Sequence, residues 1–349
     1  MTNYLIKLTP LSPFFFAGEK NFGDGENANY FAKSNTFPQQ TTVLGMLRKE
    51  ILIQNSNVYK ESGKYSDDEK SQIKELIGDS FTLPDADKFP SSSNNFGAIK
   101  KISPLFLAKH CDYFISTPKD HDFVYEPKKQ AKSCLNQTKA IIPLLKNYKP
   151  KDGLPDSFIS PYLIGTPIKF SHVFKAFVKV GNAKDKSEDD DNKFFKQKFY
   201  TMTKGYCFAL FAEIDCHIKD SIVELKDSIV FMGGDNSSFK MNVETFEKDD
   251  QTFEELFISE ATKEDKKITL LSDTLVSEDI YDCCEFAITE TMDFRTIAME
   301  NGRFSKRADK YTMLKRGSVF FIDSKENRQK LEEKLKNPKL EQIGYNIFR

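Results

Sequence analysis

Tryptophan is absent from the chain, histidine occurs only four times, and neither sign of charge dominates: 51 Lys and Arg stand against 52 Asp and Glu, a formal net charge of −1. A freely diffusing nucleic-acid binder usually carries a basic excess, so any contact with a polyanion must be local or shared with partner chains. No apolar run approaches the ~20 residues of a membrane helix, and MTNYLIKLTP at the start lacks the basic-then-apolar order of a signal peptide. The expectation is a soluble, cytoplasmic protein with no membrane contact.

The missing patterns also narrow the chemistry. Cys111, Cys134, Cys207, Cys216, Cys283 and Cys284 include no C-x-x-C pair, and reduced, mostly buried thiols are the plain reading. None of His110, His121, His172 and His217 adjoins a recognisable triad partner, as metal-independent RNA cleavage would want. His172 reads as part of an alternating strand in KFSHVFKAF. Asp189, Asp190 and Asp191 are consecutive, so on an extended backbone they point different ways and build no two-metal site. GGDNSS lacks the lysine and the following helix of a phosphate-binding loop. A non-enzyme without metal or cofactor is expected.

What is present is a phenylalanine-rich, mixed α and β pattern. At 349 residues two domains are expected. YLIKLTPLSPFFFAG reads as a strand broken at Pro10 and Pro13, and NFGDGENANYFAKSN as an exposed loop. FPQQTTVLGMLRKEIL, residues 37–52, predicts a helix capped by Thr41 or Thr42. Val43, Leu44, Leu47 and Ile51 form its core face, with Gly45, Arg48 and Lys49 opposite. A mid-helix glycine costs about 1 kcal/mol against alanine. It is either tolerated beside two solvated cations or kept for close approach by another molecule.

Residues 55–98 read as a polar insertion with a helix at DDEKSQIKELI. AIKKISPLFLA, DYFIST and HDFVYEP read as strands. Lys128, Lys129, Lys132, Lys139, Lys146, Lys149 and Lys151 form a basic stretch, by default a solvated surface. KAFVKVGNAKDKSEDDDNKFFKQKFYTM predicts a β-hairpin with a polar tip from Ala183 to Asn192. Its second arm interleaves lysines with aromatics, a pattern that suits single-stranded nucleic acid or an ordinary hairpin packed on the body. GYCFALFAEID follows as a long apolar strand. SIVFMGGDNSSFKMNVE predicts two strands around a glycine turn, and KKITLLSDTLV and CEFAITETMDFRTIA are strand-like in part. Arg303, Lys306, Arg307, Lys310, Lys315 and Arg316 precede a strand. SKENRQKLEEKLKN predicts an amphipathic helix, and IGYNIFR a last short strand.

Four stretches then converge: TPLSPFFFAGEKNFG, FPQQTTVLGMLRKEI, VKVGN followed by GYCFALFAEID, and VFMGGDNSSF with LKRGSVFFID. Together they resemble the RAMP superfamily of CRISPR effector proteins, and within it the Cas5-like third subunit of the type III-B Cmr complex. The sequence departs from that pattern at Lys315 and Arg316, where the family has Pro-Ala, at Phe320 in place of tyrosine, and in the reduced final turn Ile343, Gly344, Tyr345 and Asn346. The resemblance implies an α+β fold of two ferredoxin-like (RRM-like) domains, 1–204 and 205–349, with an inserted β-hairpin near 179–200 and long loops. It implies binding of the 5′ handle of crRNA, contact with the large polymerase–cyclase subunit and the backbone subunits, and only indirect contact with target RNA.

Under that resemblance the expected RNA contacts are Asn35, Gln39, Gln40, Thr42, Gly45 and Arg48 around the first helix, and Lys179, Lys196, Lys198 and Tyr200 on the hairpin. Ser237 and Ser238 in the glycine turn, and Lys315, Arg316 and Ser318 before the late strand, complete the set. Gly18, Gly181, Gly233, Gly234 and Gly317 are expected to serve backbone geometry. Three rivals remain: a type III-A Cas5-like subunit, a repeat-RNA-processing endoribonuclease of the same superfamily, and a scaffold that touches no RNA.

Overall fold

The computed structural model describes residues 1–21, 30–60, 63–79, 81, 95–121, 124–127, 131–132, 139–140, 143–146, 154, 156–182, 194–218, 221–233, 235–246, 253–258, 266–276, 279–300 and 303–349. The acidic hairpin tip, Gly234, and Lys128, Lys129, Lys149 and Lys151 lie outside them.

The fold is α+β, with mostly antiparallel sheets and few helices. Its centre is strand Tyr206–Ile214, apolar along nearly its whole length because both faces are covered. Tyr206, Phe208, Leu210, Ala212 and Ile214 pack into the main core, while Cys207, Ala209 and Phe211 face a second cluster around the helix Phe253–Phe257. The first strand, β1 (Thr2–Pro10), pairs antiparallel with this strand on one side and with Ser237–Phe246 on the other. Across the sheet the order runs Phe106–Lys109, Tyr206–Ile214, β1, Ser237–Phe246, Ser228–Met232. Strands from both sides of residue 204 therefore share one sheet.

Helix α1 (Gln40–Asn55) lays the expected face, Val43, Leu44, Leu47 and Ile51, on the main core. The expected threonine cap is corrected. The helix starts earlier, Gln39 is the N-cap and makes no side-chain cap, so Thr41 and Thr42 already sit in the first turn. Helix α2 (Asp67–Ile77) starts at a Ser66–Glu69 capping box. With no tryptophan, phenyl rings fill the core. Phe14, Phe174 and Phe239 surround Phe208 at centroid distances of 5.7–6.3 Å, separations at which tilted and edge-on pairs are favourable.

The hairpin Phe174–Asn182 and Phe194–Met202 forms as expected. It is extended by β2 (Phe16–Asn21) and β3 (Tyr30–Asn35) into a four-stranded sheet. Tyr30–Asn35 was expected to belong to an exposed loop; it is a strand, paired parallel to the second hairpin arm. His172 lies not on an alternating strand but, exposed, on the one-turn helix Phe170–Val173.

Toward the C-terminus, Lys267–Thr269, Val319–Phe321 and Phe286–Ile288 form a small sheet. The helix Lys325–Leu335 seats Leu331 and Leu335 on the cluster of Ile268, Leu270, Phe320 and Ile322. Of the expected final strand IGYNIFR, only the end is extended, with Phe348 bridged antiparallel to Leu270; the residues before it form turns and coil after the turn helix Pro338–Glu341. Gly344 (φ 82°) and Asn346 (φ 54°) adopt left-handed backbone that an extended strand does not contain.

Of the five described cysteines, all free, only Cys207 and Cys283 are buried, fewer than expected. No helix among the described residues is long and apolar enough to cross a membrane.

Candidate nucleic-acid interface

The end of β3 and the turn after it, Ser116 and Lys119, Leu154, Asp156 and Phe158, and Glu290 and Met292 with Lys315 and Arg316 line a cleft of about 570 Å³. Three expected residues, Asn35, Lys315 and Arg316, meet there. Lys119, Asp156, Asp273 and Glu290, which the sequence reading did not single out, complete its charged lining. Lys119 follows Pro118 directly after a strand, but its neighbours are fixed by distant segments that sequence spacing does not join.

Gly317 makes the junction possible. Its φ of 84° suits glycine, and a Cβ there would stand 2.9 Å from the carbonyl oxygen of Thr117. The close approach lets the backbone N–H of Lys119 donate to the Gly317 carbonyl at 2.8 Å. Lys119 and Lys315 then converge on one carboxylate. Their ammonium groups stand 2.9 Å and 2.5 Å from the two oxygens of Glu290. The same turn is closed by the Ser318 hydroxyl, which donates to the Lys315 carbonyl at 2.7 Å and accepts from the Glu290 N–H at 3.3 Å.

Arg316 points into the interior. It forks onto Asp273 through Nε (3.3 Å) and Nη2 (3.0 Å), donates Nη1 to the Leu105 carbonyl at 2.8 Å, and lies 4.5 Å from the centre of the Phe37 ring. The electrostatics follow from burial and pairing. Burial raises the Glu290 carboxyl, but hydrogen bonds from Lys315 and Lys119 outweigh it and hold the group below the usual range. Burial raises Asp156, with Lys119 only partly offsetting it and Glu290 adding to the rise.

Five expected contacts have interior side chains, each held by groups of the chain itself. Gln40 is fully buried, donating to the Ser103 and Ile343 carbonyls at 2.9 Å each and accepting from the Leu105 N–H at 3.3 Å. Tyr200 packs against Phe170 and Phe174, so its ring is no stacking platform. Ser237 is buried and accepts from the Phe15 N–H at 3.1 Å. Ser318 and Arg316 are spent as described above.

The others lie nearer the surface. Gly45 is exposed, with nothing within 4 Å of where a Cβ would stand, and Lys49 beside it is exposed. Arg48 instead folds back, 5.1 Å from the Phe96 ring centre and bonded to the Asp79 carbonyl; burial lowers its pKa to about 10. Gln39, Thr42 and Asn35 are half-buried, and the Ser238 hydroxyl stands 3.4 Å from that of Ser12. On the hairpin, register separates the expected lysines. Lys196 and Lys198 pair with Val180 and Val178, and Lys179 pairs with Gln197. Directly opposite residues share a face, so Lys179 points away from the other two. Lys198 also pairs with Lys33 on β3 and sits 5.3 Å from the Tyr200 ring centre.

All four histidines are exposed and none lines the cleft. Among the described residues no three His, Cys, Asp or Glu side chains group as a metal site.

An α+β architecture of mostly antiparallel sheets, with a charged cleft closed by a Lys-Arg-Gly-Ser turn, defines the class. The chain belongs to the family CRISPR-associated protein (Cas_Cmr3), whose model matches residues 6–348. Among solved structures, a chain of "Cryo-EM structure of the Type III-B Cmr-beta bound to cognate target RNA" shares the fold. It has a TM-score of 0.54 and 16% identity, covering 99% of this chain and 96% of that one. A chain of the same assembly "bound to cognate target RNA and AMPPnP, state 1" aligns with a TM-score of 0.49 and 16% identity over 99% and 95% of the two chains. No curated protein matches the chain.

Proposed function

We propose that this CRISPR effector subunit is non-catalytic, binds the 5′ handle of crRNA in a type III-B complex, and joins the large polymerase–cyclase subunit to the backbone. The observation that carries the reading is the cleft: Asn35 from the first half and Lys119 and Lys315 from distant segments meet at one opening. Sequence-specific RNA recognition uses unstacked single strands held by polar side chains and cations, and a cleft of this size and lining suits that chemistry. The main sheet supports a ferredoxin-like reading of the first domain. Its order Phe106–Lys109, Tyr206–Ile214, β1, Ser237–Phe246, with α1 after the first strand, is that of a split βαβ sheet. On this reading the first domain reaches Phe246, past residue 204.

Near-neutral charge favours a subunit that binds RNA weakly alone and firmly within an assembly, with affinity falling as salt rises. The test is ultraviolet crosslinking of the chain purified with its genomic neighbours. Crosslinks from the Asn35–Arg48 region, the hairpin and the Lys315 turn to one fixed 5′ RNA end are expected. An assembled complex holding guide RNA without a crosslink to this chain makes it a scaffold. Cleavage of repeat RNA by the purified chain overturns the non-catalytic reading.

A further inference from the structure

Glu290 occupies an unusual place in the cleft. One carboxylate accepts two ammonium groups from separate segments, Lys119 after a strand end and Lys315 in the late turn. Its backbone is fixed independently of that side chain, since its N–H donates to Ser318 and its carbonyl accepts from the Lys315 N–H at 2.7 Å. The ion pair is therefore not what shapes the turn. Lys119 is almost fully covered, whereas the Lys315 and Glu290 side chains keep 38% and 36% of their surface open. Water and solutes reach this pair. A carboxylate holding two lysines in an open cleft offers them what a phosphate offers: two oxygens and negative charge.

We infer that Glu290 is an internal competitor of RNA phosphate, holding Lys119 and Lys315 until a phosphodiester takes its place. The inference rests on the reading of the cleft as an RNA site. When RNA enters, one phosphate oxygen replaces a carboxylate oxygen at Lys315 and another at Lys119. Glu290 then swings toward solvent, as its exposure permits. No bond is made or broken and no proton moves. The competitor lowers affinity for any polyanion, so stray RNA is held poorly, and a strand that also fills the rest of the cleft supplies the energy to displace it. Glu290 is thus an affinity-setting residue that need not touch RNA.

The experiment uses the full chain, a short fluorescein-labelled single-stranded RNA, and fluorescence anisotropy over a salt series. Glu290→Gln keeps the shape and removes the charge. It should bind several-fold more tightly at low salt, and the slope of log affinity against log salt should steepen by up to about 0.7, the value for one phosphate engaged on a single strand. Adding Lys315→Gln should cancel most of the gain. Should Glu290→Gln fail to give a cooperative melt, Glu290→Asp serves instead: its shorter carboxylate cannot span both lysines, and a smaller gain in the same direction is expected. Unchanged or weaker binding by the folded variant overturns the inference. The underlying reading fails separately: if Lys119→Gln and Lys315→Gln bind RNA as the wild type does, the cleft is not the RNA site. If both weaken binding while Glu290→Gln does not strengthen it, only the competitor role is lost.

Discussion

Arg316 stands in sequence as one of a pair of cations before a strand; in the fold it is a tie between distant segments. Its partner Asp273 lies 43 positions away and Leu105 lies 211 away, so local reading shows a cation and not its use. Removing one partner of a buried pair leaves the other charge uncompensated, at about 3–5 kcal/mol. Arg316→Ala should therefore lower the urea midpoint sharply, and Arg316→Lys should recover only part, because an ammonium gives neither the fork nor the stack on Phe37. A midpoint within error of wild type would show that the tie is not needed. The carboxylates of the cleft make opposite demands on pH. The folded-state pKa of Glu290 is depressed, so its contribution is present above the ordinary glutamate value and is lost as pH falls from there through the depressed one. That of Asp156 is raised. Its ionised form therefore disfavours folding at neutral pH, and the penalty disappears as pH falls through the raised value. Asp156→Asn should raise the melting temperature at neutral pH, and the gain should shrink on acidification. A gain independent of pH would exclude Asp156 ionisation as its source.

At the level of elements, legibility follows how local the determining forces are. Helix α2 needed only its capping box and periodicity, and the helix Lys325–Leu335 only its Ser324 cap and the spacing of Leu331 and Leu335; both were readable. The tail was readable only at its end, where Phe348 bridges Leu270; before it, two left-handed residues rather than hydrophobic pattern decide its path. The hairpin was readable as a hairpin, but not the direction of Lys179, since a face is known only once register is fixed. Helix α1 was readable in its core face, and its outer face bears on Gly45. A Cβ at that position meets nothing, so Gly45→Ala should stabilise the isolated chain by about 1 kcal/mol. If the glycine is kept for close approach by RNA or a neighbouring subunit, the same variant should bind its assembly less well despite being more stable. Paired measurement of melting temperature and of crRNA recovered with the complex separates the two: stabilisation with unchanged recovery leaves Gly45 a tolerated glycine.

For the whole molecule, the α+β class was readable from alternating and helical periods, and the family from four motifs. The way the chain closes on itself was not, because it depends on pairings between residues more than two hundred positions apart. β1 pairs through Leu5 with Phe211 and, on its other edge, through Ile6 with Val243. The tail enters the same core, with Leu340, Ile343 and Tyr345 buried against it. Gly344 brings the tail so near α1 that a Cβ would overlap the Gln40 amide. A fragment ending at residue 204 keeps β1 and α1 but loses both strands that flank β1, leaving two open edges and an uncovered apolar face. It should fail to give dispersed amide resonances. A fragment ending at Phe246 regains both strands, yet loses the helix Phe253–Phe257 from the second face of Tyr206–Ile214, and leaves the Gln40 amide without its bond to Ile343 and the core without the tail's side chains. An unmet buried donor costs about 1–3 kcal/mol, and the lost apolar burial adds to it. That fragment should be folded but markedly less stable than the full chain, and residues 338–349 added as a separate peptide should restore part of the difference. Independent folding of 1–204 would instead place the boundary there and make the shared sheet a docking of two finished domains.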